Sequence, residues 1–180
     1  MDTSEAVALI EAAVPRATKI CADIGAGDGT FTRALVTILG KRATVYAVDR
    51  DARALASLSR WSRREGAAIA TVEADFTRPF ELPGLGEAQL DGLIAANALH
   101  FVRDVDAVLR QLVELLRPGG RAVIVEYDRR AASRWVPYPI ATDRLPALAA
   151  SAGLSTPTIT ATRPSAYGGI LYVAAADRVD

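Results

Sequence analysis

Apolar positions along this chain come in two rhythms. Short runs that are apolar at nearly every position alternate with longer stretches in which apolar residues recur every three or four. The runs KICADI (19–24), ATVYAVD (43–49), part of AAIATVEAD (67–75), LDGLIAANAL (90–99) and RAVIVEY (121–127) read as five strands. Their continuous apolar character marks parallel strands covered on both faces. Between them the helical rhythm predicts helices over residues 4–13, 29–40, 52–66 and 104–116. Ser4 is the expected N-cap of the first, Gly40 closes the second, and the segment RPGG stops the helix ending at Leu116. Leu109, Leu112, Val113 and Leu116 form the apolar face of that last helix.

Beyond residue 140 the alternation changes. A helix over 143–152, with Pro146 in its first turn, precedes two β-runs, STPTITATR and GGILYVAAA. The linker PSAYGG is too short for a parallel crossover, so this pair is predicted to be antiparallel. The expected fold is a single α/β domain over residues 1–180, a doubly wound, mostly parallel sheet with a C-terminal antiparallel strand.

Composition narrows the function classes. Lys and Arg together number 21, as do Asp and Glu, so no net field draws the chain to nucleic acid or to a membrane surface. No run approaches the roughly 20 apolar residues of a membrane span. The one cysteine, Cys21, lies inside an apolar run, and the N-terminal stretch carries acids where a secretory leader carries bases. The expectation is a soluble, cytoplasmic protein.

The informative stretch is ADIGAGDGTFT, residues 22–32. Gly25, Gly27 and Gly29 follow the first strand directly and open a helix. Glycines there permit positive φ and let a ligand approach the backbone closely. A tight turn with no ligand fits the same residues. The strand ends add polar groups: Asp23, Asp49, Asp75, Asn97, and then Glu126, Tyr127 and Asp128. Each alone could be a cap, but together they surround the edge where open α/β sheets bind ligands. Asp49 stands where a carboxylate takes the two hydroxyls of a ribose. The glycines are spaced G-x-G-x-G, with Thr30 where a dinucleotide fold has its third glycine. Asp23 and Asp28 would repel a pyrophosphate and suit an ammonium or sulfonium.

The ordered series ADIGAGDGTFT, YAVDRD, VEADFTRPF, IAANALHFV and LRPGGRAVIVEYD resembles the motifs of the class I S-adenosylmethionine-dependent methyltransferases of small-molecule type. The resemblance implies a Rossmann-like seven-stranded sheet with S-adenosylmethionine at the glycine turn. Gly25, Ala26 and Gly27 would meet its ribose and methionine portion, with Asp23 near the ammonium. Asp49 would hold the ribose hydroxyls and Arg50 would lie along the adenine. Asp75 would accept from the adenine amino group with the Phe76 backbone beside it, and Asn97, through its backbone carbonyl, would help hold the methionine end. Arg50 departs mildly from an often apolar family position.

Methyl transfer from a sulfonium is an in-line displacement, and a hydroxyl or carbon acceptor can need a base. His100, the only histidine, and Tyr127 are the candidates, and each could instead be packing or wall. Trp135, Tyr138, Pro137 and Pro139 could line an aromatic acceptor pocket, and Arg129, Arg130 and Arg134 could attract an anion. The expected partner is a small-molecule methyl acceptor, with a homodimer partner as one way to complete a thinly covered site. A methyltransferase-like binding module without catalysis and an NAD-dependent oxidoreductase are the alternatives.

Overall fold

The computed structural model describes residues 1–86, 88–165 and 168–179. Strands β1 (Ile20–Ile24), β2 (Thr44–Asp49), β3 (Ile69–Glu73), β4 (Leu90–Ala96), β5 (Leu116–Asp128), β6 (Thr158–Pro164) and β7 (Ile170–Asp177) form one sheet. Their order is β3-β2-β1-β4-β5-β7-β6. β1 to β5 pair in parallel, and β7 runs antiparallel to both β5 and β6. The helices are α1 (Thr3–Ile10), α2 (Thr30–Leu39), α3 (Ala52–Glu65), α4 (Val105–Val113) and α5 (Leu145–Ser151).

Side-chain alternation along each strand divides the core in two. Cys21, Val45, Ile94, Val123 and Val173 pack under α1 and α2. Ala22, Ile24, Val48, Leu93, Ile124 and Tyr172 pack under α4 and α5, against Leu109, Leu112 and Leu148. With both faces covered, β1, β2 and β4 are buried at almost every position, which is why they read as unbroken apolar runs. The expected seven-stranded, doubly wound sheet is the one observed.

Three boundaries differ from the sequence expectation. The cap of α1 is Asp2, not Ser4. Its carboxylate accepts from the Glu5 amide at 2.8 Å while the Glu5 side chain accepts from the Asp2 amide at 2.9 Å. Ser4 donates to the same carboxylate, and the helix ends at Ile10. The helix expected to reach Leu116 stops at Val113. Leu116 is buried as predicted, but from β5, where it pairs with Leu90, and the Leu90 amide donates to the Leu115 carbonyl at 2.9 Å. RPGG then forms a register shift inside the strand before Arg121 meets Gly92. The linker between β6 and β7 contains Ala166 and Tyr167, which lie outside the described residues.

Among the described residues no helix is long and apolar enough to cross a membrane. The strand order reverses between β1 and β4, each extended from the other by a neighbour on its far side. A crevice is expected outside the carboxyl ends at that point.

Candidate functional site

The turn after β1 is stitched to the end of β2. The Gly25 and Ala26 amides both donate to the Val48 carbonyl, at 2.8 and 3.0 Å. Gly25 has φ +74°, and a Cβ there would lie 2.6 Å from the Ala98 Cβ. Glycine is therefore required twice, by conformation and by the close approach of the β4 loop. Gly27, at φ +51°, has no atom within 4 Å of where its Cβ would be. Its amide donates to Asp49 Oδ2 at 2.7 Å.

Above this turn lies a cleft of about 480 Å³ at the β1–β4 reversal. Of the residues singled out from sequence, Gly25, Gly27, Asp49, Arg50, Asp75, Phe76 and Asn97 line it. The ends of four strands, β1 to β4, thus meet there, and Phe101 and Val102 add an apolar side wall.

Asp49 is held from both sides. Oδ2 takes the Gly27 amide, and Oδ1 takes the Asp51 amide at 2.8 Å. Asp51 in turn caps α3, accepting from Arg53 and Ala54. Each oxygen of the Asp49 carboxylate has one donor and room for a second, so the group is oriented and able to accept two hydroxyls. Asp75 is bound into its own turn, accepting from the Thr77 amide at 3.0 Å and the Thr77 hydroxyl at 2.6 Å. The Thr77 hydroxyl bond holds the exposed Asp75 carboxyl below its ordinary range. Arg50 stands exposed at the lip.

Two expected contacts lie beneath the cleft rather than on it. Ala26 packs with Ala47, Leu55 and Leu58 between the turn and α3. Asp23 is 1 % exposed and accepts from the Thr32 hydroxyl at 2.6 Å, under the start of α2. Alternation puts it on the same face as Cys21, away from the cleft. Burial pushes its carboxyl up to about 6, the Thr32 bonds oppose that, and the Asp49 charge adds to the rise.

The sign of that shift makes a prediction. A carboxyl whose folded pKa exceeds its unfolded value binds more protons when folded. Its penalty is absent at low pH and grows as pH rises from about 4 through about 6. Asp23→Asn removes the charge and keeps an acceptor for Thr32. The melting temperature of this variant should exceed wild type by on the order of 5 °C at pH 7.5, and the gain should vanish near pH 4. Paired thermal melts across that range read it out, and a gain independent of pH would refute it.

Asn97 carries the other signature of a ligand site. It adopts φ +54°, uncommon for a residue with a side chain. Its amide donates to the Val125 carbonyl at 2.8 Å, which fixes the turn off β4. Its Oδ1 is buried and meets no hydrogen-bond donor among the described residues. An orphaned buried acceptor costs free energy and is uncommon. Here it borders the cleft.

His100 and Tyr127 do not line the cleft but stand next to its wall. The His100 ring is 4.3 Å from that of Phe101 and 5.7 Å from that of Tyr127, centroid to centroid. Glu126, wholly buried on β5, accepts from the His100 amide at 3.1 Å and meets Nδ1 at 2.7 Å. An ionised Glu126 only accepts, which puts a proton on Nδ1, and in the neutral imidazole of that tautomer Nε2 keeps the lone pair. Sequence reasoning placed Glu126 at a strand end without this partnership, and it passed over Phe101. A charged residue inside the apolar run AVIVEY was the available signal for the first; nothing singled out the second.

A family model described as a methyltransferase domain matches residues 22–122. An uncharacterized methyltransferase of Mycobacterium tuberculosis is 35% identical over 121 residues, covering 67% of this chain and 56% of that protein. The chain thus spans about half the length of this curated relative. Among solved structures, the 1,6-didemethyltoxoflavin-N1-methyltransferase of Burkholderia thailandensis superposes with TM-score 0.76 at 23% identity. It covers 99% of this chain and 78% of its own, and was crystallised with S-adenosylhomocysteine and 1,6-didemethyltoxoflavin. The O-methyltransferase of neocarzinostatin biosynthesis, crystallised with S-adenosylhomocysteine and 1,4-dihydroxy-2-naphthoic acid, superposes with TM-score 0.70 at 22% identity. That match covers 94% of this chain and 52% of the other.

Proposed function

The chain belongs to the methyltransferase domain family, and on that premise we propose that it is an enzyme moving a methyl group from S-adenosylmethionine to a small organic acceptor. The observation that carries this is the cleft at the strand reversal, floored by the Gly25–Gly27 turn and bordered by the Asp49 carboxylate. A volume of about 480 Å³ suits a nucleoside-sized ligand. The donor set fits too: carboxylates and an orphaned amide oxygen suit hydroxyls and an ammonium, not a pyrophosphate.

In this assignment Asp49 takes the ribose hydroxyls. Arg50 and Phe76 would hold the adenine, and Asp75, whose carboxylate is already oriented by Thr77, would accept from its amino group. Gly25 and Gly27 let the methionine portion lie against bare backbone, and Ala26 backs the turn. Asn97 holds the methionine end, and Asp23 adds negative potential from below. The cofactor supplies an electrophilic methyl group. The chain supplies alignment, and His100 Nε2, oriented through Glu126, accepts the acceptor's proton. Tyr127 walls the same region and is the second candidate for that role.

The whole 180-residue chain is treated as one domain. Balanced net charge disfavours nucleic acid as acceptor. A single buried cysteine fits the reducing cytoplasm, and a homodimer is one way to cover the exposed rim around Phe101.

Calorimetric titration of the purified protein with S-adenosylmethionine, S-adenosylhomocysteine and NADH in parallel tests the assignment. Micromolar binding of the first two with none of the third is expected. Binding of NADH alone would overturn it, and cofactor binding without turnover over a panel of acceptors would leave only a binding module.

A further inference from the structure

Resting on that reading, we propose that the acceptor is a planar aromatic anion, its ring laid against Phe101 and its negative group received by Arg130. Four groups lie in a contiguous series that starts at the cleft wall. Phe101 lines the cleft and is 58% exposed, so its ring is offered to a ligand rather than packed. His100 follows at 4.3 Å and Tyr127 at 5.7 Å, both tilted. The Arg130 guanidinium lies 4.7 Å over the Tyr127 ring. Its Nη1 reaches the Gly168 carbonyl at a long 3.5 Å, and the rest of a guanidinium edge stacked in this way can meet a carboxylate or phenolate. The ordered steps join an apolar ring site, a proton acceptor and a cation.

The charge distribution around that cation is lopsided. Acids and bases balance over the whole chain, yet residues 128–143 carry Arg129, Arg130 and Arg134 against Asp128 and Asp143. Asp128 meets Arg129 at 3.6 Å, and Arg134 stacks on Trp135. An anion approaching the rim therefore meets net positive potential beside aromatic surface.

The segment carrying these groups is anchored, which makes its outward aromatics a built feature. Val136 and Ile140 are buried, and the Ile140 carbonyl accepts from the Tyr172 hydroxyl at 2.9 Å. The Tyr138 amide donates to the His100 carbonyl at 2.9 Å, and the Thr142 amide to Asp128 Oδ1 at 3.0 Å. Trp135 stays 71% exposed and Tyr138 41% exposed despite those anchors. Exposed aromatics on an anchored segment, interleaved with arginines and tied by the Tyr138 amide to the residue next to Phe101, suit a ligand rim.

The test is calorimetry with 1-naphthoate, its neutral isostere 1-naphthamide, and cyclohexanecarboxylate, each titrated with and without S-adenosylhomocysteine. Naphthoate should bind about tenfold tighter than either comparator, the scale of one charge-assisted contact at a partly desolvated site. Arg130→Gln should erase the margin over naphthamide, Arg130→Lys should keep part of it, and about 0.5 M salt should shrink it. Melting temperatures near wild type establish that both variants fold. Equal affinity for naphthamide, a margin that survives Arg130→Gln, binding of none of the three, or self-association burying Trp135 without any anion effect would each overturn the proposal. Failure of S-adenosylhomocysteine to bind sinks the methyltransferase reading instead, since nucleoside and anion are read in separate titrations.

Discussion

Asp49→Ala is expected to weaken S-adenosylmethionine binding by about 10²- to 10⁴-fold while leaving the melting temperature of the ligand-free protein nearly unchanged. A hydrogen bond to a charged acceptor contributes about 1.5–3 kcal/mol, and in the proposed assignment two ribose hydroxyls would share this carboxylate. The cost to the fold is small for two reasons. The donors that lose their acceptor, the Gly27 and Asp51 amides, lie in half-buried or exposed positions where water can replace it. Removing the Asp49 charge also relieves the buried Asp23 carboxyl, which that charge pushes up. Calorimetry and a thermal melt on one preparation decide the matter. Unchanged affinity would remove the cleft from the mechanism altogether.

Glu126→Gln is expected to lower kcat by about 10²- to 10⁴-fold with cofactor affinity and KM held within about threefold. The two carboxylate oxygens serve two donors, the His100 amide and the ring Nδ1. Glutamine has one acceptor and one donor. Keeping the backbone bond turns its NH₂ toward Nδ1, which forces the proton of a neutral imidazole onto Nε2 and removes the lone pair the proposed base needs. Glu126 is a positioning residue in this scheme, so the split between kcat and KM matters more than the size of the loss. A variant that melts lower but turns over normally would reduce Glu126 to a structural role, and would remove His100 as base.

The glycine turn and the strand-end acids were legible because their physics is local. Positive φ at Gly25 and Gly27 needs glycine, and apolar runs buried on both faces end in polar residues at the carboxyl edge. The Asp2 cap was readable as well, since Asp2 and Glu5 have the spacing of a capping box, but Ser4 nearer the apolar run drew the assignment. Leu116 continues the spacing of α4 by coincidence. The sheet decides its place, because the Leu90 amide takes its acceptor from the neighbouring Leu115. Asp23 needed only the alternation of β1: with Ala22 and Ile24 on one face, it belongs to the other. The His100–Glu126 pair was out of reach. It spans 26 positions and exists because β4 and β5 are neighbours with Ala96 opposite Val125.

The position of β7 has a kinetic consequence. β6 has β7 as its only partner in the sheet, and β7 lies between β6 and β5. β6 therefore cannot join before β7 does, and the pair can add as a hairpin, a unit that closes in microseconds because its strands are adjacent in sequence. Until then β5 is a bare edge with Val123 and Val125 on one face and Ala122 and Ile124 on the other. An open edge that long and apolar templates pairing with a second chain. Substitutions that slow the hairpin should thus show up first as lost yield during refolding, before any change in the stability of the finished protein.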